Sequence, residues 1–168
     1  MGDLEGAREQ HAMALGTFES TLGSNHPYVG VTAVNVGRVD VRRGDLERAL
    51  PELERGRAIL EHALGSAHPH VDFARLGLAE LELARHRPER ALAVLPVART
   101  ECGETARTLC AELMFARAKA QHDSGDGAAA DQAAAAALAL LGTTVADAEL
   151  RQRITAWDER RLDAVVAG

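Results

Sequence analysis

The sequence predicts an all-α protein in which antiparallel helix pairs stack into an α-solenoid. The first observation behind this prediction is an internal repeat. Residues 2–29 align with residues 44–71 at an offset of 42 residues, and 12 of the 28 aligned positions are identical. A weaker third copy begins at His86, another 42 residues on, and keeps Glu89 and Ala91. Repeats of this length are typical of two-helix units that bury their apolar faces against neighbouring units.

The second observation is the spacing of apolar residues within a repeat. Val71, Ala74, Leu78 and Leu81 follow one another at intervals of three and four residues, which is the period of an α-helix. The alternation that indicates a strand is not sustained anywhere, and β-branched residues are sparse. Each repeat is therefore interpreted as two helices.

Glycines and capping residues place the helix ends in the two clear repeats. Gly44 ends one helix and Asp45 can cap the next, which ends at Gly65. Pro69 restarts the chain, and Pro88 is favourable in the first turn of a later helix. The predicted helices are 4–22, 28–43, 46–64, 70–86, 88–101, 104–123, 127–141 and 146–165.

Later elements depend on composition more than on the repeat. Pro51 and Pro96 fall inside predicted helices, so a kink or a late start is expected at each. The alanine-rich run 128–139 favours a helix that neighbours can approach closely. The last helix is predicted to cap the stack, with Trp157 covering its open end.

The whole chain, 1–168, is interpreted as one repeat domain. Its parts are a half repeat at 2–27, repeats at 28–69 and 70–103, a degenerate repeat at 104–145 and a capping helix at 146–168. Because helix 4–22 matches helix 46–64, the first helix of its own pair is missing upstream. Its inner face would then lack a neighbour, so we expect either a longer parent protein or a second copy to cover that face: Leu4, Ala7, His11, Phe18 and Leu22.

Composition excludes several classes of function. The formal net charge of −6 argues against a general nucleic-acid or anionic-membrane binder, and aromatic residues make up only 3% of the chain. Cys102 and Cys110 are too few for a disulfide framework and are interpreted as small buried residues. No apolar run is long enough for a membrane span, and no signal sequence opens the chain. A cytoplasmic protein is expected.

The two-helix unit resembles a tetratricopeptide repeat. Val36-Gly37, Gly44 and Ala49 reproduce the small-residue pattern of that family, and Leu78-Ala79, His86 and Ala91 take the same places in the next unit. The 42-residue period and the Leu-Gly-x-x-His-Pro loop are similar to the kinesin-light-chain type, which also occurs as C-terminal arrays on bacterial serine/threonine kinases. The resemblance implies a right-handed solenoid with a concave groove lined by the first helix of each pair.

That groove is the predicted binding site for a protein or peptide. Its residues come from three successive first helices: Val34, Asn35, Arg38, Val41, Arg42, Leu76, Glu80, Leu83, Phe115, Lys119 and His122. The groove would be apolar in the middle with cations around it, which suits an acidic and apolar segment. Asn35 is the preferred candidate for holding a ligand backbone, because its amide both donates and accepts. Packing against neighbours is an equally good interpretation of Val34 and Leu76.

No catalytic or cofactor site is predicted. His62, His68 and His70 could cluster around zinc, although surface loop histidines are the simpler interpretation, and His-Pro is expected to shape the helix start. Gly125-Asp-Gly127 lacks the Lys and Ser/Thr of a phosphate loop. Carboxylates alternate with arginines, as on a solvated helix face. No enzymatic activity, metal or cofactor is therefore expected.

Four functions compete at this point. The leading hypothesis is a protein-interaction scaffold that binds its partner in the groove. The second is a regulatory C-terminal domain of a larger enzyme, by resemblance a bacterial serine/threonine kinase. The others are a homo-oligomerisation module that pairs through helix 4–22, and a metal protein that uses the three histidines.

Overall fold

A computed structural model describes residues 3–96, 103 and 106–166, with side chains up to residue 161. These residues form eight α-helices and no strand, which confirms the predicted all-α class. The helices are α1 Leu4–Leu22, α2 Pro27–Arg43, α3 Leu46–Leu64, α4 Pro69–Ala84, α5 Pro88–Val94, α6 Arg107–Asp123, α7 Gly127–Leu140 and α8 Val145–Val166. The chain divides into two compact units, Met1–Pro96 and Val97–Gly168, which we call unit 1 and unit 2.

The two prolines that were predicted to fall inside helices behave differently. The predicted helix 88–101 ends at Val94, and Leu95 is extended with φ −67° and ψ 137°. The ring of Pro96 disfavours helical geometry in the residue before it, so α5 stops there instead of kinking. Residues 97–101 lie outside the described residues. Helix α3, by contrast, includes Pro51 in its interior.

Glycines bring α2 and α3 together as an antiparallel pair. A Cβ atom added at Gly30 would lie 2.8 Å from Leu60 Cγ, and one added at Gly37 would lie 2.6 Å from Leu53 Cγ. From Gly30 to Gly37 the residue number rises along α2, whereas the number of the facing leucine on α3 falls from 60 to 53. The two helices therefore run antiparallel. Gly56 of α3 is equally crowded, since an added Cβ would lie 2.7 Å from the Gly30 carbonyl oxygen. The two backbones can approach this closely only without side chains there.

Helices α2 and α4, the first helices of successive repeats, also lie side by side. Leu53 of α3 lies close to both helices. A Cβ added at Gly37 of α2 would lie 2.6 Å from Leu53 Cγ, and one added at Gly77 of α4 would lie 2.7 Å from Leu53 Cδ2. The same ion pair recurs at the 42-residue offset: Arg43 binds Glu5 at 2.7 Å, and Arg85 binds Glu47 at 2.9 Å. Unit 1 is thus a stack of equivalent helix pairs, as the repeat predicts.

Histidine caps begin the first helix of each clear repeat. The Nδ1 atom of His26 accepts a hydrogen bond from the backbone N–H of Tyr28 at 3.2 Å, and His68 does the same for His70 at 3.1 Å. Each cap is followed by a proline, which suits the first helical position. The interpretation of His-Pro as a helix-start signal is confirmed.

A left-handed residue separates the two helices of each pair. Gly44 has φ 84° at the end of α2, and His86, 42 residues later, has φ 56° beyond the end of α4. Few residues other than glycine adopt this conformation. The backbone turn is therefore retained in the second repeat although its glycine has been replaced.

Helix α1 is better covered than the sequence suggests. Leu15 is buried, and Phe18 packs on the same cluster as Val29 and Ala33 of α2. Arg8 on α1 donates from Nε to Asp40 Oδ1 of α2 at 2.7 Å. The predicted open face is therefore partly filled by α2, although Leu22 remains 44% exposed.

Unit 2 uses alanines where unit 1 uses glycines. Ala130, Ala133, Ala134 and Ala137 of α7 are buried, and the last three pack with Phe115, Leu150 and Ile154 in one cluster. Cys110 of α6 is buried and disulfide-bonded, which the interpretation as a simple small side chain missed; Cys102 lies outside the described residues. Along the described part of the chain, no helix combines the length and the apolar character that crossing a membrane requires.

The start of α8 is attached to α6 by a hydrogen-bonded carboxylate. Asp147 accepts from Thr144 Oγ1 at 2.7 Å and from Thr108 Oγ1 of α6 at 2.9 Å, while its own N–H donates to Thr144 Oγ1. These hydrogen bonds favour the charged form and lower the pKa of Asp147, with the Thr144 hydroxyl as the largest cause. The arrangement is a capping box that also holds two helices together.

Candidate functional site

Two predicted groove residues lie in the core of unit 1. Val34 is completely buried, because α3 approaches so closely that a Cβ added at Gly56 would lie 2.6 Å from Val34 Cγ2. Leu76 of α4 is 1% exposed. Of the two interpretations offered for these residues, the structure shows packing against neighbours. Val41 is half-buried against the same core.

Arg38 and Glu80 bind each other. The Arg38 guanidinium donates from Nε to Glu80 Oε2 at 2.8 Å and from Nη2 to Oε1 at 2.9 Å. The same guanidinium lies 4.9 Å from the centre of the Phe73 ring. Arg38 is only 8% exposed. The predicted groove cation is therefore neutralised by a predicted groove anion, since they occupy equivalent positions on adjacent helices α2 and α4.

Asn35 and Arg42 remain available on the same face of α2. Asn35 is half-buried, and its side-chain amide makes no hydrogen bond within the described residues. Arg42, seven residues further on, is exposed and forms no ion pair within that part of the chain. Residues seven apart share a helix face. Leu83 of α4 is half-buried.

The three predicted groove residues of α6 come together around one side chain of α8. The Phe115 and Trp157 rings meet edge to face with centroids 5.6 Å apart, and His122 meets Trp157 in the same way at 5.7 Å. Lys119 Nζ lies 4.9 Å from the centre of the Phe115 ring. The structure thus groups Phe115, Lys119 and His122 as one local site in unit 2.

A cleft of about 410 Å³ opens between α6 and α8 at this point. It is lined by two aromatic rings, three cations and two small or neutral residues: Phe115, Lys119, Gln152, Arg153, Ala156, Trp157 and Arg160. The polar lining residues of α8 were not among the predicted site residues. Their signal was their spacing, since positions 152, 153, 156, 157 and 160 share one helix face.

The cations of α8 divide into two groups. Arg161 donates to both Asp158 and Asp131, and these carboxylates raise its pKa, the hydrogen bond with Asp158 being the largest cause. Arg153 lies 6.0 Å from the centre of the Phe115 ring, makes a long contact of 3.9 Å to Glu112 and is half exposed. Arg160 is exposed and forms no ion pair among the described residues. The side of α8 that faces the cleft therefore carries positive charge that is weakly compensated.

The histidines of the second repeat do not assemble a metal site. The His68 and His70 rings lie 5.0 Å apart, but the Nδ1 lone pair of His68 is used in the helix cap. Burial, and to a smaller degree the nearby His68, lowers the pKa of His70. Among the described residues, no group of three or more His, Cys, Asp or Glu side chains is placed to hold a metal ion.

Comparison with known proteins identifies the type of repeat in the first part of the chain. No curated protein matches the chain. A family model described as tetratricopeptide repeat matches residues 1–62, a range that contains α1, α2 and nearly all of α3. The glycine contacts and the left-handed turn of this region fit the small-residue pattern of that repeat. Residues 1–62 therefore correspond to the tetratricopeptide repeat, and the match supports an array of such repeats.

Proposed function

We propose that this protein is a protein-interaction scaffold and that one contact surface is the exposed face of α2 that carries Asn35 and Arg42. The observation behind this proposal is the half-buried amide of Asn35, which has no hydrogen-bond partner among the described residues. A polar group in that position is costly to leave unpaired when a partner excludes water from it, so a partner should supply the missing hydrogen bonds. The tetratricopeptide-repeat match supports a binding role.

The chemistry of the surface favours an acidic and apolar partner. The Asn35 amide can donate to a backbone carbonyl and accept from a backbone N–H of a bound segment. Arg42 can pair with a carboxylate of that segment. Arg38 contributes by holding α2 against α4 through Glu80, and Val34 and Leu76 contribute by filling the core beneath the surface. These residues are supports of the site.

Affinity capture with a matched control tests the proposal. The full chain, immobilised and exposed to a lysate of its source cells, is compared with an Asn35→Ala/Arg42→Glu variant by mass spectrometry of the captured proteins. The control is Gln10→Ala/Arg48→Glu, which makes the same chemical changes at exposed positions of α1 and α3. Proteins captured by the wild type and the control and lost from the first variant support the proposal. Identical capture by all three would contradict it.

Self-association through α1 is a second candidate. Met13 and Leu22 of α1 are 75% and 44% exposed, and Tyr28 at the start of α2 is 59% exposed. Exposed apolar side chains on α1 and at the start of α2 are candidates for such a contact with a second copy. Light scattering of the wild type and of a Met13→Gln/Leu22→Gln variant tests this idea, and a monomer at high concentration in both would remove it. The regulatory domain of a larger enzyme stays a prediction of the resemblance.

A further inference from the structure

We infer that the cleft between α6 and α8 in unit 2 binds an acidic protein segment that carries an apolar side chain. This inference rests on the proposed scaffold function and names a second, chemically defined contact site within it. The site differs from the α2 surface in composition, since its floor is aromatic and its rim is cationic.

The floor of the cleft is suited to one apolar side chain. Phe115 is 4% exposed and forms the base, while Trp157 is half-buried and stands edge-on to it. Ala156, one turn from Gln152 on α8, leaves room above the rings. A volume of about 410 Å³ lies in the range of sites that enclose a few side chains or a small ligand.

The rim of the cleft is suited to carboxylates. Lys119, Arg153 and Arg160 line it, and none of the described lining residues is acidic. The carboxylate of Glu112 approaches Arg153 only at 3.9 Å. The chain as a whole has a net charge of −6, so a local group of cations contrasts with the rest of the molecule. Such complementarity selects acidic partners and disfavours basic ones.

Among anionic macromolecules the observations favour a protein segment over a nucleic acid. One face of Trp157 is already covered by Arg161, whose guanidinium carbon lies 5.0 Å from the ring centre. Phe115 is buried below the surface. Successive bases need a series of open ring faces along a basic track, which this single cleft does not offer.

Trp157 provides a direct readout, because it is the chain's single tryptophan. Peptides are first selected from a random phage-displayed library against the immobilised full chain. Selected peptides without tryptophan or tyrosine are then titrated into the protein while Trp157 emission is recorded. We expect enrichment of Glu and Asp beside Leu or Phe, a change of Trp157 emission on binding, and weaker binding at higher salt.

Two charge-reversal variants locate the binding. In Arg153→Glu/Arg160→Glu we expect peptide affinity to fall roughly tenfold or more, because two cations of the rim become anions. Arg48→Glu/Arg90→Glu carries the same change of net charge at exposed positions of α3 and α5, and its affinity should stay unchanged. Thermal unfolding followed by circular dichroism checks both folds. If the first variant unfolds, Arg153→Gln/Arg160→Gln replaces it.

Three outcomes would overturn the inference. The first is that the selected peptides are neutral or basic, or that no peptide is enriched. The second is that acidic peptides bind Arg153→Glu/Arg160→Glu as well as the wild type. The third is that a single-stranded DNA oligonucleotide binds more tightly than the peptides. Peptides lost with Asn35→Ala/Arg42→Glu and kept with Arg153→Glu/Arg160→Glu would overturn this inference while supporting the proposed function. The lysate-capture experiment with Asn35→Ala/Arg42→Glu tests the proposed function independently of this inference.

Discussion

The two units of the molecule use their cations differently. In unit 1 arginines connect neighbouring helices through carboxylates: Arg8 binds the completely buried Asp40, Arg38 binds Glu80, and Arg43 and Arg85 bind Glu5 and Glu47. In unit 2 three cations surround a cleft with aromatic walls. In unit 2 Arg161 also pairs with carboxylates, but Arg160 at the cleft forms no ion pair among the described residues, and the contact of Arg153 with Glu112 is long.

The units also differ in what brings their helices close. Gly30, Gly37 and Gly56 let α2 and α3 approach until an added Cβ would overlap a neighbour. In unit 2 the buried face of α7 consists of alanines, which keep helix propensity while remaining small. A helix–helix contact at these glycines has no room for an added Cβ atom. At the alanines, the distance between the helices depends on the size of the side chains that face them.

The largest expected effect comes from the aromatic floor of unit 2. Phe115→Ala should lower the free energy of unfolding by about 3–5 kcal/mol, because it empties a buried site that Trp157, Lys119 and Arg153 surround. Phe73→Ala in unit 1 should cost less, since Phe73 is half-buried. Urea unfolding followed by circular dichroism measures both. Equal losses of unfolding free energy in Phe115→Ala and Phe73→Ala would contradict this difference between the two units.

A glycine pair tests close approach in unit 1. Gly56→Ala should lower the free energy of unfolding by about 3 kcal/mol, at the upper end of overpacking effects, because the nearest atoms include the Gly30 carbonyl oxygen. Gly16→Ala in α1 meets nothing within 4 Å and should raise stability by about 0.5–1 kcal/mol. Thermal melts of the two variants should shift in opposite directions, and a stabilised Gly56→Ala would contradict the structure.

Removing one arginine from each unit tests the roles of their charges. Arg8→Ala should cost about 2 kcal/mol, because it leaves the buried carboxylate of Asp40 without its cation, while the partial exposure of Arg8 keeps the loss below that of a fully buried pair. Arg153→Ala should cost about 0–1 kcal/mol, since its contact with Glu112 is long and exposed. Chemical denaturation of both variants decides the point, and a larger loss for Arg153→Ala would reverse the comparison.

The smallest effects are those of pH. The pKa of His70 is lowered, so folding favours its neutral form, and its contribution is present at neutral pH and lost as the pH falls through and below about 6.5. The pKa of Asp147 is also lowered, so its contribution persists to lower pH and is lost in the acid range below about 4.

The free energy of unfolding of His70→Gln and Asp147→Asn, measured as a function of pH, tests these two contributions. Relative to the wild type, His70→Gln should flatten the curve near pH 6, about where histidine titrates, and Asp147→Asn should flatten it in the acid range. Matching curves for the wild type and both variants would show that neither group is linked to folding.

Much of the fold was predictable because its signals are local. Helices α1 and α3 have the predicted limits, and α2, α4 and α8 begin or end within two residues of the prediction. Their ends are set by residues that act on their own backbone, such as the Nδ1 cap of His68 and the left-handed Gly44. The short α5 was missed because the effect of Pro96 on Leu95 was weighed as a kink inside a helix.

The candidate sites were only partly predictable. Phe115, Lys119 and His122 could be named from their spacing on one helix, yet the partner that gathers them, Trp157, had been assigned to the cap of the stack. A helical period shows which residues share a face and leaves open which other helix that face meets.

Sequence alone established the repeat, the helices and the residues that begin and end them, since each of these depends on interactions within a few residues. The burial of Val34, the pairing of Arg38 with Glu80 and the cationic cleft beside Trp157 emerged only from the packing of helices. Val34 is buried because α3 has a glycine at position 56, and Arg38 is neutralised because α4 presents a carboxylate 42 residues away. Which side chains stay exposed to a partner depends on residues that are distant in the sequence, because helix packing buries some helix faces and leaves others in water.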